Sequence, residues 1–157
     1  ILTNFENRLA VQAGLIAFIP MLMGTGGNSG AQASTAVIRS LSLGDTEPRD
    51  ALRVMWKEWR VAAICGLTLA VVNFIKMLLL DGLILHNSGV TVAVAATVSL
   101  SIVFIVMFAK VVGSMLPILA EKIGVDPAVM ASPFITTIVD AISLFIYFNI
   151  AISILGI

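Results

Sequence analysis

The sequence has few charged residues. Of its 157 residues, 11% are Asp, Glu, Lys or Arg, whereas soluble domains carry about 25%. Hydrophobic residues make up 59% of the chain, and the mean hydropathy is +1.08. A water-soluble chain of this length would expose large apolar patches, because it has too little interior to bury them. The composition therefore excludes an ordinary soluble domain and predicts a single domain, residues 1–157, embedded in a lipid bilayer.

The chain also lacks an excess of charge of either sign, because nine basic residues balance nine acidic ones. Without a basic surface, no nucleic-acid partner is expected. The only cysteine, Cys65, lies in an apolar run and is interpreted as a packing residue. The only histidine, His86, is expected in a loop. This scarcity excludes an internal disulfide and any Cys/His cluster of the kind that binds zinc or copper.

Long apolar runs are abundant. Four segments reach the roughly 20 mostly apolar residues that a membrane-spanning helix needs. They cover about residues 9–41, 61–80, 90–120 and 127–156. The sequence therefore predicts an all-α fold, a polytopic transmembrane helix bundle with four spans.

The connection between the first two runs, residues 42–60, is the strongly charged part of the chain. It is rich in Arg and Lys and contains Trp56 and Trp59, which are typical of a membrane interface. Because basic loops face the cytoplasm, this loop is predicted to be cytoplasmic, in a multi-pass protein of the cell membrane. The C-terminus is then extracytoplasmic. The N-terminal ILTNFENRLA is expected to be an extracytoplasmic loop that follows a missing helix.

Two polar features interrupt the apolar runs. The segment GTGGNSGAQ, residues 24–32, places four glycines within seven residues. Irregular backbone is tolerated at membrane depth where it lines a water-filled cavity, so a break of the first helix is expected here. Asp140 lies in the middle of the fourth run, where inserting an Asp costs about 2.5–3.5 kcal/mol. We expect its side chain to face the bundle interior or a water-filled path.

Ser132, Thr136 and Asp140 follow one another at four-residue spacing, which places them on one face of a helix. Their oxygen atoms suit a hard cation such as Mg²⁺, which keeps several waters and uses one or two carboxylates. Other interpretations stay open. The glycines can serve close helix packing, the hydroxyls can bond their own backbone, and Asp140 can pair with Lys76 or Lys110.

Two further functions fit parts of the sequence. GNSG, residues 27–30, matches the Gly-x-Ser-Gly pattern of rhomboid-type intramembrane serine proteases, with Ser29 as the nucleophile. That chemistry needs a histidine base within hydrogen-bond reach of the serine, and His86 is expected on the side opposite the basic loop. A purely structural membrane subunit is another alternative, in which Asp140 contributes only to stability.

The segment PMLMGTGGNSGAQASTAVIRSLSLGD resembles the signature of the MgtE-type magnesium channels. VDPAVMASPFITTIVDAISLFIYF is similar to their last membrane helix, and KEWRVAAICGLTLA to the start of their third. The resemblance covers most of the chain from Phe5 onward. It implies a homodimer in the lipid bilayer that passes hydrated Mg²⁺ and is not an enzyme. The resemblance further implies that the pore follows the two-fold dimer axis, between the first and fourth spans.

The resemblance also implies roles for individual residues. Asp140 holds the hydrated Mg²⁺, and Asp126 matches a cytoplasmic position that contacts regulatory Mg²⁺. The pore-lining positions implied are Gly24, Gly27, Asn28, Ser132 and Thr136. Ser132 departs from the family pattern, in which Asn is frequent there. The family's first membrane helix and the cytoplasmic magnesium-sensing domains of many members are expected to be missing from this chain.

Overall fold

A computed structural model describes residues 2–85, 89–130 and 132–156. Side chains are described for residues 14–85, 89–129 and 133–156. His86 and the side chain of Ser132 therefore lie outside the described residues. Within these ranges the chain is helical and contains no strand, which confirms the all-α prediction.

The described part of the chain contains four α-helices. They are α1 (Leu2–Ser42), α2 (Ala51–Lys76), α3 (Val92–Lys122) and α4 (Ser132–Leu155). Three stretches are long and apolar enough to cross a membrane: Pro48–Ile84, Val92–Lys122 and Pro133–Leu155. These stretches make the chain a multi-pass membrane protein. The span assigned to α1, which has 41 residues, stays a prediction.

Helix α2 begins at Ala51, inside the charged connection 42–60, whereas the second apolar run begins at residue 61. Residues 51–60 are helical, and only a short turn separates α1 from α2. In this turn the Asp50 carboxylate accepts a hydrogen bond from the backbone N–H of Glu47 at 3.0 Å. Pro48 opens a 3₁₀ turn at its first position, where its fixed φ suits a helix start. The charged sequence that follows therefore forms the first turns of α2 rather than a loop.

Helix α3 is the centre of the bundle. It packs against α1, α2 and α4, and α1 also packs against α4. The side chains of Val94, Val98, Ile105 and Val106 on α3 are almost completely buried. Many large apolar side chains of α2 and α4 remain exposed, as expected for helices that face lipid. The fold therefore has a protein-buried helix surrounded by three others.

Helix α1 is continuous through its glycines, so the predicted helix break is wrong. A Cβ atom added at Gly113 of α3 would overlap the backbone of Gly30. One added at Gly26 would lie 2.8 Å from Ile105 of α3 and from the Ser143 hydroxyl of α4. The glycines thus let neighbouring helix backbones approach closely, which is the packing interpretation. That packing outweighs the cost of about 1 kcal/mol for each glycine inside a helix.

Two lysines of the apolar helices, Lys110 and Lys76, are paired with carboxylates. Lys110 Nζ lies 3.7 Å from a carboxylate oxygen of Glu58, and both side chains are about nine-tenths buried. This pair connects α3 to α2. Lys76 Nζ donates to the Asp81 carboxylate at 2.8 Å, across the π-helical turn that follows α2. Such pairing is what makes a buried ammonium tolerable in a medium of low polarity.

Substitution of Gly113 by Ala is expected to destabilise the bundle, because the new methyl group forces α3 away from the backbone of Gly30. We expect a loss of roughly 1–3 kcal/mol, typical of overpacking. Gly24→Ala is the matched control, since a Cβ there meets no heavy atom within 4 Å. Thermal unfolding of the purified full-length variants in detergent measures the difference. Equal melting temperatures for the two variants would contradict this packing.

Candidate cation site

An open groove lies between α1 and α4 and has a volume of about 150 Å³. The residues that line it are Met23, Gly24, Gly27, Asn28, Thr136 and Asp140. Five of the seven site residues predicted from the sequence therefore lie together, although their functional roles stay predictions. Ser132 begins α4 one turn before Thr136. Asp126 lies apart from the groove, in the turn before α4.

The groove owes its shape to two glycines of α1. A Cβ added at Gly27 would lie 3.2 Å from Cγ2 of Thr136 and 3.9 Å from Oδ1 of Asp140. The backbone of α1 thus lies directly against the two polar residues of α4. Gly24 borders open space, and a side chain there would project into the groove. Glycine at these positions brings Asp140 close to α1 and keeps the groove wide.

Asp140 has no counter-charge within the described residues. Its side chain is partly exposed, and no described group forms an ion pair or hydrogen bond with its carboxylate. Lys76 and Lys110, the two partners considered from the sequence, are bound to Asp81 and Glu58 instead. Asp140 therefore presents a free carboxylate to the groove.

The hydroxyl groups near Asp140 donate to their own helix. Thr136 Oγ1 donates to the carbonyl of Pro133 at 3.0 Å, and Thr137 Oγ1 donates to the same carbonyl at 2.9 Å. Ser143 is buried and donates to the carbonyl of Val139. The hydroxyl oxygen of Thr136 keeps lone pairs that can accept a hydrogen bond from water. Thr136 can thus contact the hydration shell of an ion, whereas Ser143 serves the packing of α4 on α1.

The donor set suits a hydrated cation rather than a dehydrated one. In the described part of the chain, no three His, Cys, Asp or Glu residues lie close enough to hold a metal ion together. Mg²⁺ dehydrates reluctantly and is bound through one or two carboxylates while it keeps several waters. One carboxylate, an amide at Asn28 and a hydroxyl at Thr136 can provide such outer contacts.

A second groove of about 450 Å³ continues along α1. Of the residues that line it, only Asn28 was predicted from the sequence as a site residue. It shares Asn28 with the first groove and is also lined by Gln32, Thr35 and Arg39. These side chains recur at spacings of four, three and four residues, so they share one exposed face of α1. This spacing is visible in the sequence. It would have predicted a polar path that continues from Asp140 along α1 towards the charged turn.

Two other candidate residues have local roles. Ser29 Oγ donates to the carbonyl of Thr25 at 2.7 Å. Among the described residues, no side chain that could act as a catalytic base is hydrogen bonded to Ser29. The histidine that a serine protease would need falls outside the described residues. Asp126 is exposed, and its carboxylate accepts a hydrogen bond from the backbone N–H of Ala128 at 2.9 Å. Asp126 therefore caps the 3₁₀ turn Pro127–Met130.

Comparison with known proteins gives a consistent match. The family model MgtE, described as "Divalent cation transporter", matches residues 19–150. A protein of Thermus thermophilus named "Magnesium transporter MgtE" is 40% identical over 153 residues. Proteins of the same name from Bacillus subtilis and Enterococcus faecalis are 33% and 30% identical. Each alignment covers 96% of this chain and 32% of the relative, so the chain spans about a third of their length.

A cysteine placed in the groove is expected to react with water-soluble thiol reagents, because a thiolate forms only where water enters. The test uses Asn28→Cys in full-length protein without other cysteines, Cys65 being replaced by Ala. Ser34→Cys is the control on the same helix, since Ser34 is 2% exposed. We expect fast modification at position 28 and slow modification at position 34, measured by mass spectrometry. Similar slow rates at both positions would show that the groove is dry.

Proposed function

The chain belongs to the MgtE family of divalent cation transporters, and on this basis we propose that it forms the membrane-embedded ion path of a Mg²⁺ channel or transporter. The free carboxylate of Asp140 in the groove between α1 and α4 carries the proposal. A carboxylate in an apolar helix is costly unless it faces protein partners, water or an ion. The described residues offer Asp140 no such partner, which favours a hydrated cation as its counter-charge.

The proposed assembly is a homodimer with the ion path on its two-fold axis. In one copy, the polar face of α1 with Asn28, Gln32, Thr35 and Arg39 is exposed beside Asp140. Contact of this face with lipid would leave amides and charges without hydrogen-bond partners. A second copy related by two-fold symmetry would cover the face with an identical one. The two polar faces would then enclose water, and the two Asp140 carboxylates would face each other.

Two facing carboxylates favour a divalent ion. Without a cation they repel each other, and the repulsion is strong where little water screens it. One Mg²⁺ balances both charges, whereas a monovalent ion leaves one charge uncompensated. The amide of Asn28 and the hydroxyl of Thr136 contact the waters that Mg²⁺ retains. Gly24 and Gly27 leave the width that a hydrated ion needs.

The orientation follows from the distribution of charge. The turn between α1 and α2 and the basic start of α2 lie in the cytoplasm, and the C-terminus lies outside it. The relatives are about three times as long as this chain, which supports the presence of further segments in the complete transporter. We infer that these comprise a first membrane helix and cytoplasmic regulatory domains. A regulatory Mg²⁺ contact at Asp126 is part of this proposal.

No observation favours the protease alternative. The Ser29 hydroxyl is directed at the backbone of its own helix, 2.7 Å from the Thr25 carbonyl. The family to which the chain belongs consists of transporters rather than enzymes. Ser29 is therefore assigned to the structure of α1.

Replacing Asp140 by Asn is expected to lower Mg²⁺ flux by about tenfold or more, since losing the charge removes at least about 1.4 kcal/mol of ion stabilisation. The measurement is Mg²⁺ uptake into liposomes that contain the full-length protein. Ser29→Ala and Asp45→Asn are controls, the first for the protease alternative and the second for loss of an exposed carboxylate. Both controls are expected to keep normal flux. Normal flux in a folded, dimeric Asp140→Asn variant would contradict the proposed ion path.

A further inference from the structure

A polar cavity of about 570 Å³ lies between the C-terminal end of α1, the following turn and the start of α2. It is separate from the groove that contains Asp140 and shares none of its lining residues. Ser40 and Thr46 contribute hydroxyl groups to it, and three basic residues of α2 line its other side. The ion path described above gives this cavity no role.

The three basic residues are Arg53, Lys57 and Arg60. They follow one another at spacings of four and three residues, so they form one stripe on α2. All three side chains are exposed, and no ion pair of theirs occurs within the described part of the chain. Three cationic groups thus line one cavity, and none of them is held in an ion pair with a described residue.

The acidic residues of the cavity do not cancel this charge. Glu58 is buried, and its carboxylate lies 3.7 Å from the ammonium group of Lys110. Asp50 accepts a hydrogen bond from the backbone of the preceding turn. Asp45 is exposed and is the remaining carboxylate of the lining. The charge of Glu58 is compensated by Lys110. The three cationic side chains therefore outnumber the two remaining carboxylates, those of Asp45 and Asp50, and the cavity attracts anions.

The residues around the cavity are typical of a membrane interface. Trp56 lines it and is 61% exposed, and the guanidinium of Arg60 lies 5.9 Å from the centre of the Trp56 ring. Tryptophan is enriched at the boundary between lipid headgroups and acyl chains. Two exposed apolar side chains of α2, Ile64 and Leu67, follow Arg60 by about one and two helical turns. A basic cavity next to an apolar helix face matches the two parts of a phospholipid molecule.

We propose that this cavity binds the headgroup phosphate of an anionic phospholipid. Arg53, Lys57 and Arg60 supply the positive charge, and guanidinium groups are well suited to phosphate oxygens. Ser40 and Thr46 share one hydrogen bond of 2.6 Å, which leaves one of the two hydroxyl hydrogens to donate to the phosphate. The acyl chains lie along the apolar face of α2. Basic pockets between membrane helices on the cytoplasmic side are recognised lipid-binding sites.

The test uses Trp56 as a reporter in the full-length protein, with every other tryptophan replaced by Phe. The protein is reconstituted in phosphatidylcholine bilayers with increasing amounts of phosphatidylglycerol carrying brominated acyl chains, which quench nearby tryptophan. Quenching is compared with that by brominated phosphatidylcholine. We expect stronger quenching by the anionic lipid. Arg53→Gln and Lys57→Gln should each lower this preference by about fivefold, the effect of one basic residue at a membrane surface.

Arg49→Gln is the matched control. Arg49 lies in the same turn region, but it pairs with Glu47 at 2.9 Å and does not line the cavity. Its substitution should leave the preference unchanged, and Arg53→Lys, which keeps the charge, should largely preserve it. The melting temperature of each variant checks its fold.

Three outcomes would overturn the proposal. One is equal quenching by the two lipids in the unmodified protein, which would mean that another protein segment covers the cavity. Another is an equal loss of preference in Arg49→Gln and Arg53→Gln, which would mean a diffuse surface charge effect. The third is removal of the preference by inorganic phosphate in the buffer at constant ionic strength, which would identify a site for soluble anions.

Discussion

The contact between the backbones of Gly30 and Gly113 determines how close α1 lies to the central helix α3. Gly26 makes a second close contact of α1, with Ile105 on α3 and Ser143 on α4. Because Gly26 lies directly against Ser143 of α4 and is adjacent to Gly27, these contacts also hold Gly27 close to Thr136. The groove with Asp140 is therefore a consequence of glycine packing, and the same sequence segment provides both the close contact and the polar lining.

A second constraint is the location of the charges in the membrane part. Lys110 and Lys76 are each held by a carboxylate, Glu58 and Asp81, away from the groove. Asp140 remains without a counter-charge among the described residues. In a medium of low polarity an unpaired carboxylate attracts a cation far more strongly than it does in water. The distribution of ion pairs thus concentrates the attraction for cations at one position, which is what a site for ions passing through the bilayer requires.

The helix content and much of the groove were predictable from the sequence. The length of the apolar runs indicates the helices, and the four-residue spacing of Thr136 and Asp140 places them on one face of α4. The continuity of α1 was not predictable, because the low helix propensity of glycine suggests a break unless the facing residues Ile105 and Gly113 are known. The exact start of α2 was not predictable, because hydropathy detects only the apolar part of a helix and does not show where its charged first turns begin. The partner of Lys110 was missed because Glu58 is distant in sequence.

The central claim is that Asp140 binds a hydrated divalent cation on the axis of a dimer. The most direct measurement is an anomalous difference map from crystals of the full-length protein grown with Mn²⁺, which resembles Mg²⁺ in its preference for oxygen ligands. The account predicts one Mn²⁺ peak between the Asp140 carboxylates of the two subunits, with water between the ion and the carboxylate oxygens. Asp140 side chains that face lipid or pack against protein, without a metal peak between them, would contradict it.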